Sequence, residues 1–229
     1  MSLLATTQGL IERTYRTATG IEDMGRFVVG DQGYRLLVHR DRPEGGASGG
    51  EGKDREPLPG ARVLVRRMEE GLALAIYYPD VLIQQLERWP PTRQFDDRNV
   101  DAFAHFVEEI DHFISLYHAR SHGRDLTLLE LEMRANVSKA LVFAHFIGRL
   151  AGRSWLLAEE RLWMRYHLFE KQVYTDADAA VRQRYEDARR FAVRLLNRLE
   201  KLPRSRRIWE LRRWNDLPAS WKVHELSVA

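Results

Sequence analysis

Glu109-x-x-His112 is the one Glu-x-x-His spacing in the chain. On a helix it sets a carboxylate and an imidazole on one face, a turn apart, as carboxylate-bridged di-iron bundles do. A di-iron centre needs a second such motif, and the second histidine is missing, although Glu130, Glu132, Glu159 or Glu160 could supply carboxylates. A mononuclear centre drawn from His105, Glu109, His112 and Glu132 needs no second motif. The chain has no cysteine, so any metal must be held by His, Asp or Glu. Disulfide frameworks, thiolate nucleophiles and iron–sulfur clusters are excluded on the same ground. His-Glu-x-x-His and His-x-x-Glu-His are absent, and His224-Glu225 lacks a second histidine, which argues against zincin-type hydrolysis. Gly45 to Gly52 is not followed by a helix, so it does not read as a phosphate-binding loop.

The helices that carry these groups have a pattern of their own. In the first long helix, Phe103, Phe106, Val107, Ile110, Phe113, Ile114 and Tyr117 form one broad apolar face. His105, Glu109 and His112 gather on another side, and Glu108 stands one turn before His112. In the second, Glu132, Asn136 and Lys139 make an i, i+4, i+7 stripe that continues into Phe143, Phe146 and Leu150. A solvated face does not usually run on into two phenylalanines and a leucine. Buried charges must be paired, at a cost of several kcal/mol otherwise. Glu132 and Lys139 are therefore expected to meet each other or Glu108, Glu109 and His112. The polar cluster is Glu108, Glu109, His112, Glu132, Asn136 and Lys139, and the ligands for a divalent metal within it are Glu109, His112 and Glu132. The competing reading is a salt-bridge and hydrogen-bond network that fixes how the helices pack.

The pattern Val107-Glu108-x-x-x-His112-Phe113, then Leu129-Glu130-Leu131-Glu132-x-x-Ala135-x-Val137-x-Lys139, resembles one that recurs in a family of uncharacterised bacterial proteins. The resemblance covers about a fifth of the chain and implies no activity. It marks the segment without explaining it.

Around these helices the chain divides near residue 95. Arg26–Gly30 and Gly33–His39 flank Asp31-Gln32 as a first hairpin, and Ala61–Met68 and Leu72–Tyr78 flank Glu69-Glu70-Gly71 as a second. Residues 41–60 hold six Gly and three Pro, too little apolar surface to offset their ordering, and read as a flexible loop between the hairpins. Short helices over Leu10–Arg16 and Val81–Arg88 bracket this layer, and Trp89-Pro90-Pro91 ends it. From Asp96 the pattern is helical: to about His118, Leu128 to Leu150, Ser154 to Glu170, Thr175 to Lys201, and Ser205 to Trp214. The expected fold class is α+β, a small N-terminal antiparallel sheet of about four strands (1–95) packed on a C-terminal bundle of four to five helices (96–229).

Charge is unevenly placed. The net +3 conceals thirteen Lys/Arg against five Asp/Glu between Arg182 and Lys222. Arg204, Arg206, Arg207, Arg212 and Arg213, with Trp209, Trp214 and Trp221 among them, compose a surface for an anionic partner. Ile208, Leu211 and Trp214 at helical spacing point instead to a bundle-closing helix. No secretory segment is visible and no run nears the ~20 apolar residues of a membrane span, so the expected location is cytoplasmic. The expected function is an interaction or adaptor-type protein, with a polar cluster in its helical core and a basic C-terminal surface for an acidic protein partner. The alternatives are a metal-dependent enzyme using Glu109, His112 and Glu132, and nucleic-acid binding through the Arg/Trp-rich C-terminal region.

Overall fold

In the computed structural model, residues 2–40, 58–69 and 71–227 are described. The central element is the helix α5 (Leu128–Leu150). It starts on a capping box: the Thr127 hydroxyl accepts the Glu130 N–H at 3.1 Å, and the Glu130 carboxylate accepts the Thr127 N–H at 3.1 Å. Every residue from Glu130 to Ala140 is buried, because α4 (Val100–Ser121) covers one flank and α7 (Ala179–Lys201) another. Such a helix has no solvated face, so its Glu132, Arg134, Asn136 and Lys139 must find partners inside the protein.

Helix α4 is held at its start by Asn99. Its side-chain amide donates to the carbonyls of Trp89 and Gln94, both at 2.9 Å, and its side-chain oxygen accepts the Asp96 N–H at 3.1 Å. The sequence pattern started this helix at Asp96. Instead the Asp96 carbonyl accepts the N–H groups of Asn99 and Val100, and the helix opens four residues later. Phe103, Phe113 and Phe143 have no exposed surface. Each such side chain is worth about 1.5–3 kcal/mol of burial, which locks α4 against α5.

The N-terminal layer departs from expectation. The second hairpin is present as β2 (Arg62–Met68) and β3 (Gly71–Tyr77), antiparallel with Met68 opposite Gly71. The first hairpin is not. Gly33–His39 lies within a helix, α2 (Asp31–Arg40), and only Val28–Val29 forms a strand, β1, pairing parallel with Ile76–Tyr77. The sheet thus has three strands, ordered β1-β3-β2, rather than four. Asp31 explains the change. Its carboxylate accepts the Tyr77 hydroxyl at 2.8 Å and the Asp80 N–H at 3.2 Å, and the Asp80 carboxylate accepts the Asp31 N–H at 3.1 Å. This reciprocal pair turns the chain from strand into helix at Gly30, where an added Cβ would lie 2.3 Å from Asp80 Oδ1. Tyr34 and Leu37, three apart, then face the protein, a helical spacing that alternation had masked. Residues 41–57 of the expected loop lie outside the described residues.

The rest is helical: α1 (Leu3–Tyr15), α3 (Asp80–Arg88), α6 (Ala158–Arg165) running into a π-helical turn (Tyr166–Glu170), α8 (Arg204–Asp216) and α9 (Ala219–Ser227). Six helices follow residue 96 among the described residues, not four or five, because α9 follows α8 as a separate helix that the sequence pattern did not announce. Ile76 and Tyr78 of the sheet share one apolar core with the helices. The Tyr78 hydroxyl donates to the Phe106 carbonyl at 2.7 Å, and the two rings stack at 5.1 Å. No helix among the described residues is long and apolar enough to cross a membrane.

Candidate metal centre

On α4, Glu108, Glu109 and His112 project toward the stripe of Glu132, Asn136 and Lys139 on α5. The His112 ring lies between two carboxylates: Nδ1 is 3.6 Å from Glu109 and Nε2 is 3.8 Å from Glu132. Both distances exceed a hydrogen bond, and neither His112 Nε2 nor Glu109 Oε2 has a hydrogen-bond partner although both are buried. On the other flank, the Lys139 ammonium donates to Glu108 at 2.9 Å. Glu108, His112 and Glu132 each offer one ligand atom, and the three atoms lie within 4.8 Å of one another. Zinc bonds of about 2.1 Å set tetrahedral ligand atoms about 3.4 Å apart, so the widest separation, at most 4.8 Å, need close by no more than about 1.4 Å.

The charges around this point respond to one another. Burial pulls the His112 imidazole down, but the carboxylates of Glu109, Glu132 and Glu108 more than reverse this and push it up to about 9. Burial raises Glu132, and the nearby Glu108 adds to that against the pull of His112 and Lys139, so its carboxyl titrates above the usual range. Glu108 goes the other way. Burial would raise it, yet the Lys139 ammonium, helped by His112 and His105, holds it well below the usual range. With His112 neutral as a ligand and all three carboxylates ionised, the one lysine would leave two negative charges, which one divalent ion would cancel. The donor set of one imidazole and two carboxylates suits zinc, manganese or ferrous iron.

The cluster expected from the sequence is brought together, with a division of roles. Glu109, expected among the ligands, stands on the Nδ1 side of His112, away from the point shared by the other three, and Glu108 is the second carboxylate there. A carboxylate on the far ring nitrogen fixes the tautomer and orientation of a ligating histidine. Asn136 turns back on its own helix and donates to the Glu132 carbonyl at 3.0 Å. His105 is largely exposed and only approaches Glu108, at 4.0 Å.

Two groups beside the site were not anticipated. Tyr174 and Tyr185 stack at 5.4 Å, and burial raises both hydroxyls, against the pull of Lys139 and Arg189 at Tyr174 and with the help of Glu132 at Tyr185. Tyr185 lies one turn before Ala188 on the buried face of α7, a helical signal readable in the sequence; Tyr174 lies in a polar connection with no such signal. A second buried network was also missed. Asp111, with no exposed surface, pairs with Arg134 at 3.3 Å, and the Ser138 hydroxyl bridges Asp111 at 2.7 Å and the Tyr15 hydroxyl at 3.1 Å. The Arg134 guanidinium lies 4.2 Å over the Tyr15 ring, so this network joins α1 to α4 and α5. The argument applied to Lys139, a charge on an otherwise apolar helix, applies equally to Arg134.

The C-terminal arginines are mostly engaged within the fold. Arg213 donates to Glu210 and Glu225, Arg212 to the carbonyls of Arg13 and Thr14, and Arg207 to those of Glu200 and Leu202. Arg204 lies 5.8 Å over the Trp155 ring, and Arg206 is exposed. Trp214 is buried in the core, while Trp209 and Trp221 are exposed. No protein-family model matches the chain, and neither a curated protein nor a solved structure matches it.

Proposed function

We propose that this protein binds one divalent transition-metal ion between α4 and α5 and that its function depends on that ion. Glu108, His112 and Glu132 are the ligands, and Glu109 orients His112. The observation that carries this reading is His112 Nε2: it is buried, has no hydrogen-bond partner, and lies 3.8 Å from the Glu132 carboxylate in a cluster with Glu108. A packing network would hold His112 between two carboxylates at 3.6 and 3.8 Å, short of a hydrogen bond to either, which is costly for a buried polar nitrogen. Three protein ligands are one fewer than a closed structural zinc site uses, which leaves a coordination position for water or substrate. The bound ion would supply Lewis-acid chemistry there. The Val107–Phe113 and Leu129–Lys139 pattern spans these ligands, and we propose that its resemblance to the bacterial family reports this site.

Elemental analysis of the purified chain, followed by titration of the chelator-treated protein with zinc, manganese and ferrous iron, tests the reading. One equivalent of a single metal bound by the wild type and lost in His112→Ala supports it. Binding undiminished in both His112→Ala and Glu132→Gln, or no binding of any of the three ions at micromolar concentration, overturns it.

A further inference from the structure

A cavity of about 940 Å³ opens on a different face of α5 from the metal centre, bounded by α1, α6, α7 and α8. Its volume is at the upper end of the range of about 300–1,000 Å³ typical of small-molecule sites. The wall is apolar: Leu10, Ala144, Met164, Phe169, Leu196 and Leu211 all face it. At the opening stand Trp155 and Ile208, with 52% and 39% of their surfaces exposed.

The charge around this wall has one sign. Arg149, Arg153, Arg161, Arg165, Arg204 and Arg207 line it, and Glu200 is the one acidic residue among the described residues that does. Two of the arginines are compensated, Arg153 by Glu160 and Arg165 by Asn197 and Glu200. Arg161 and Arg207 donate to backbone carbonyls, which leaves their charges unneutralised. Arg149 and Arg204 have no carboxylate partner among the described residues. His145, also on the wall, is pushed down by burial and then by Arg149 and Arg13, as expected in a field of uncompensated positive charge. An apolar hollow with an uncompensated guanidinium rim matches a ligand whose tail is apolar and whose head is anionic.

We infer that this cavity binds a single-chain amphiphilic anion, an alkyl chain seated among Ala144, Phe169 and Leu196 with its carboxylate or phosphate head against Arg149 and Arg204. The same chemistry is offered by a free fatty acid and by an anionic phospholipid in a bilayer; a hollow set between α1, α5, α6, α7 and α8, rather than on an open face, favours the free, single-chain form. The site is separate from the metal centre, so Glu132→Gln leaves this binding unchanged.

Calorimetric titration with dodecanoate below its micellar concentration, beside dodecanol and phosphatidylglycerol vesicles, tests the assignment. Dodecanoate is expected to bind saturably at one equivalent, at least tenfold more tightly than dodecanol. The exposed double variant Arg149→Ala/Arg204→Ala weakens dodecanoate about tenfold while dodecanol is unaffected. Ala144→Trp, checked for folding by circular dichroism, fills the hollow and removes both. The assignment is overturned if dodecanoate does not saturate, if the alcohol binds as well as the acid, if the arginine variant binds dodecanoate normally, or if only vesicles bind.

Discussion

His112 and Glu132 face each other from α4 and α5 with Nε2 3.8 Å from the carboxylate, close enough to share an ion and too far to share a hydrogen bond. Around that gap Glu108 supplies a second carboxylate, and Lys139 holds it charged. These relations make the contributions of the neighbouring residues separable.

In the proposed site Glu109 acts on the ring and not on the ion. Glu109→Gln is expected to keep one metal equivalent but to lower affinity about 10- to 100-fold, the usual effect of removing a group that orients a ligating histidine. His112→Ala and Glu132→Gln are expected to abolish stoichiometric binding. Competition titration against a chromophoric chelator separates the two outcomes, and equal losses in all three variants would place Glu109 among the ligands.

Lys139→Met removes the partner of a largely buried carboxylate. The metal-free variant is expected to lose about 3 kcal/mol, the scale of breaking one side of a buried ion pair. Because the ion would neutralise the stranded Glu108, saturating metal should raise its Tm by more than it raises that of the wild type. Scanning calorimetry with and without metal measures both; an equal metal-induced rise in the two proteins contradicts the placement of Glu108.

Asp111→Ala should cost a similar ~3 kcal/mol by leaving Arg134 buried and unpaired. It touches none of the proposed ligands, so metal stoichiometry should stay at one. Urea unfolding gives the first quantity and elemental analysis the second.

Arg213 organises an acid-sensitive contact. Its guanidinium donates to Glu210 and Glu225 and holds both carboxyls below their ordinary value. A folded-state pKa below the unfolded one adds stability that is fully present above about pH 4.5 and is lost as pH falls through the folded value. Arg213→Met removes this contribution, so the variant is less stable than wild type at neutral pH and the difference narrows below pH 4.5. Thermal unfolding followed by circular dichroism at pH 7, 5, 4 and 3 traces it, and a gap that stays constant with pH would contradict the linkage.

The long helices were legible because their signals are local. Thr127 and Glu130 cap α5 within a single turn, and its 23 residues end where the pattern ends. The stripe of Glu132, Asn136 and Lys139 running into Phe143, Phe146 and Leu150 announced a buried polar face, and the structure buries all of these except Leu150, which is exposed at the end of the helix. The N-terminal layer was less legible. Gly33–His39 alternates well enough to read as a strand, and what makes it a helix is an exchange of hydrogen bonds between Asp31 and Asp80, 49 residues apart. No window of local sequence contains that exchange.

The same limit divides the site. One Glu-x-x-His, no cysteine and a charged stripe on an apolar helix were enough to point to the histidine and carboxylates of α4 and α5 as a candidate metal cluster. They favoured Glu109 on its Glu-x-x-His spacing, whereas the structure groups Glu108 with His112 and Glu132; both glutamates, four and three residues before His112, are its neighbours on the helix surface. Only the packing of α5 decided it, by setting Glu132 on Nε2 and Lys139 on Glu108 and leaving Glu109 at Nδ1. The basic C-terminal composition was equally plain in the sequence. Whether each arginine meets solvent, a carbonyl or a carboxylate depends on contacts between distant segments, such as Arg212 with Thr14, which exist only once the chain has folded.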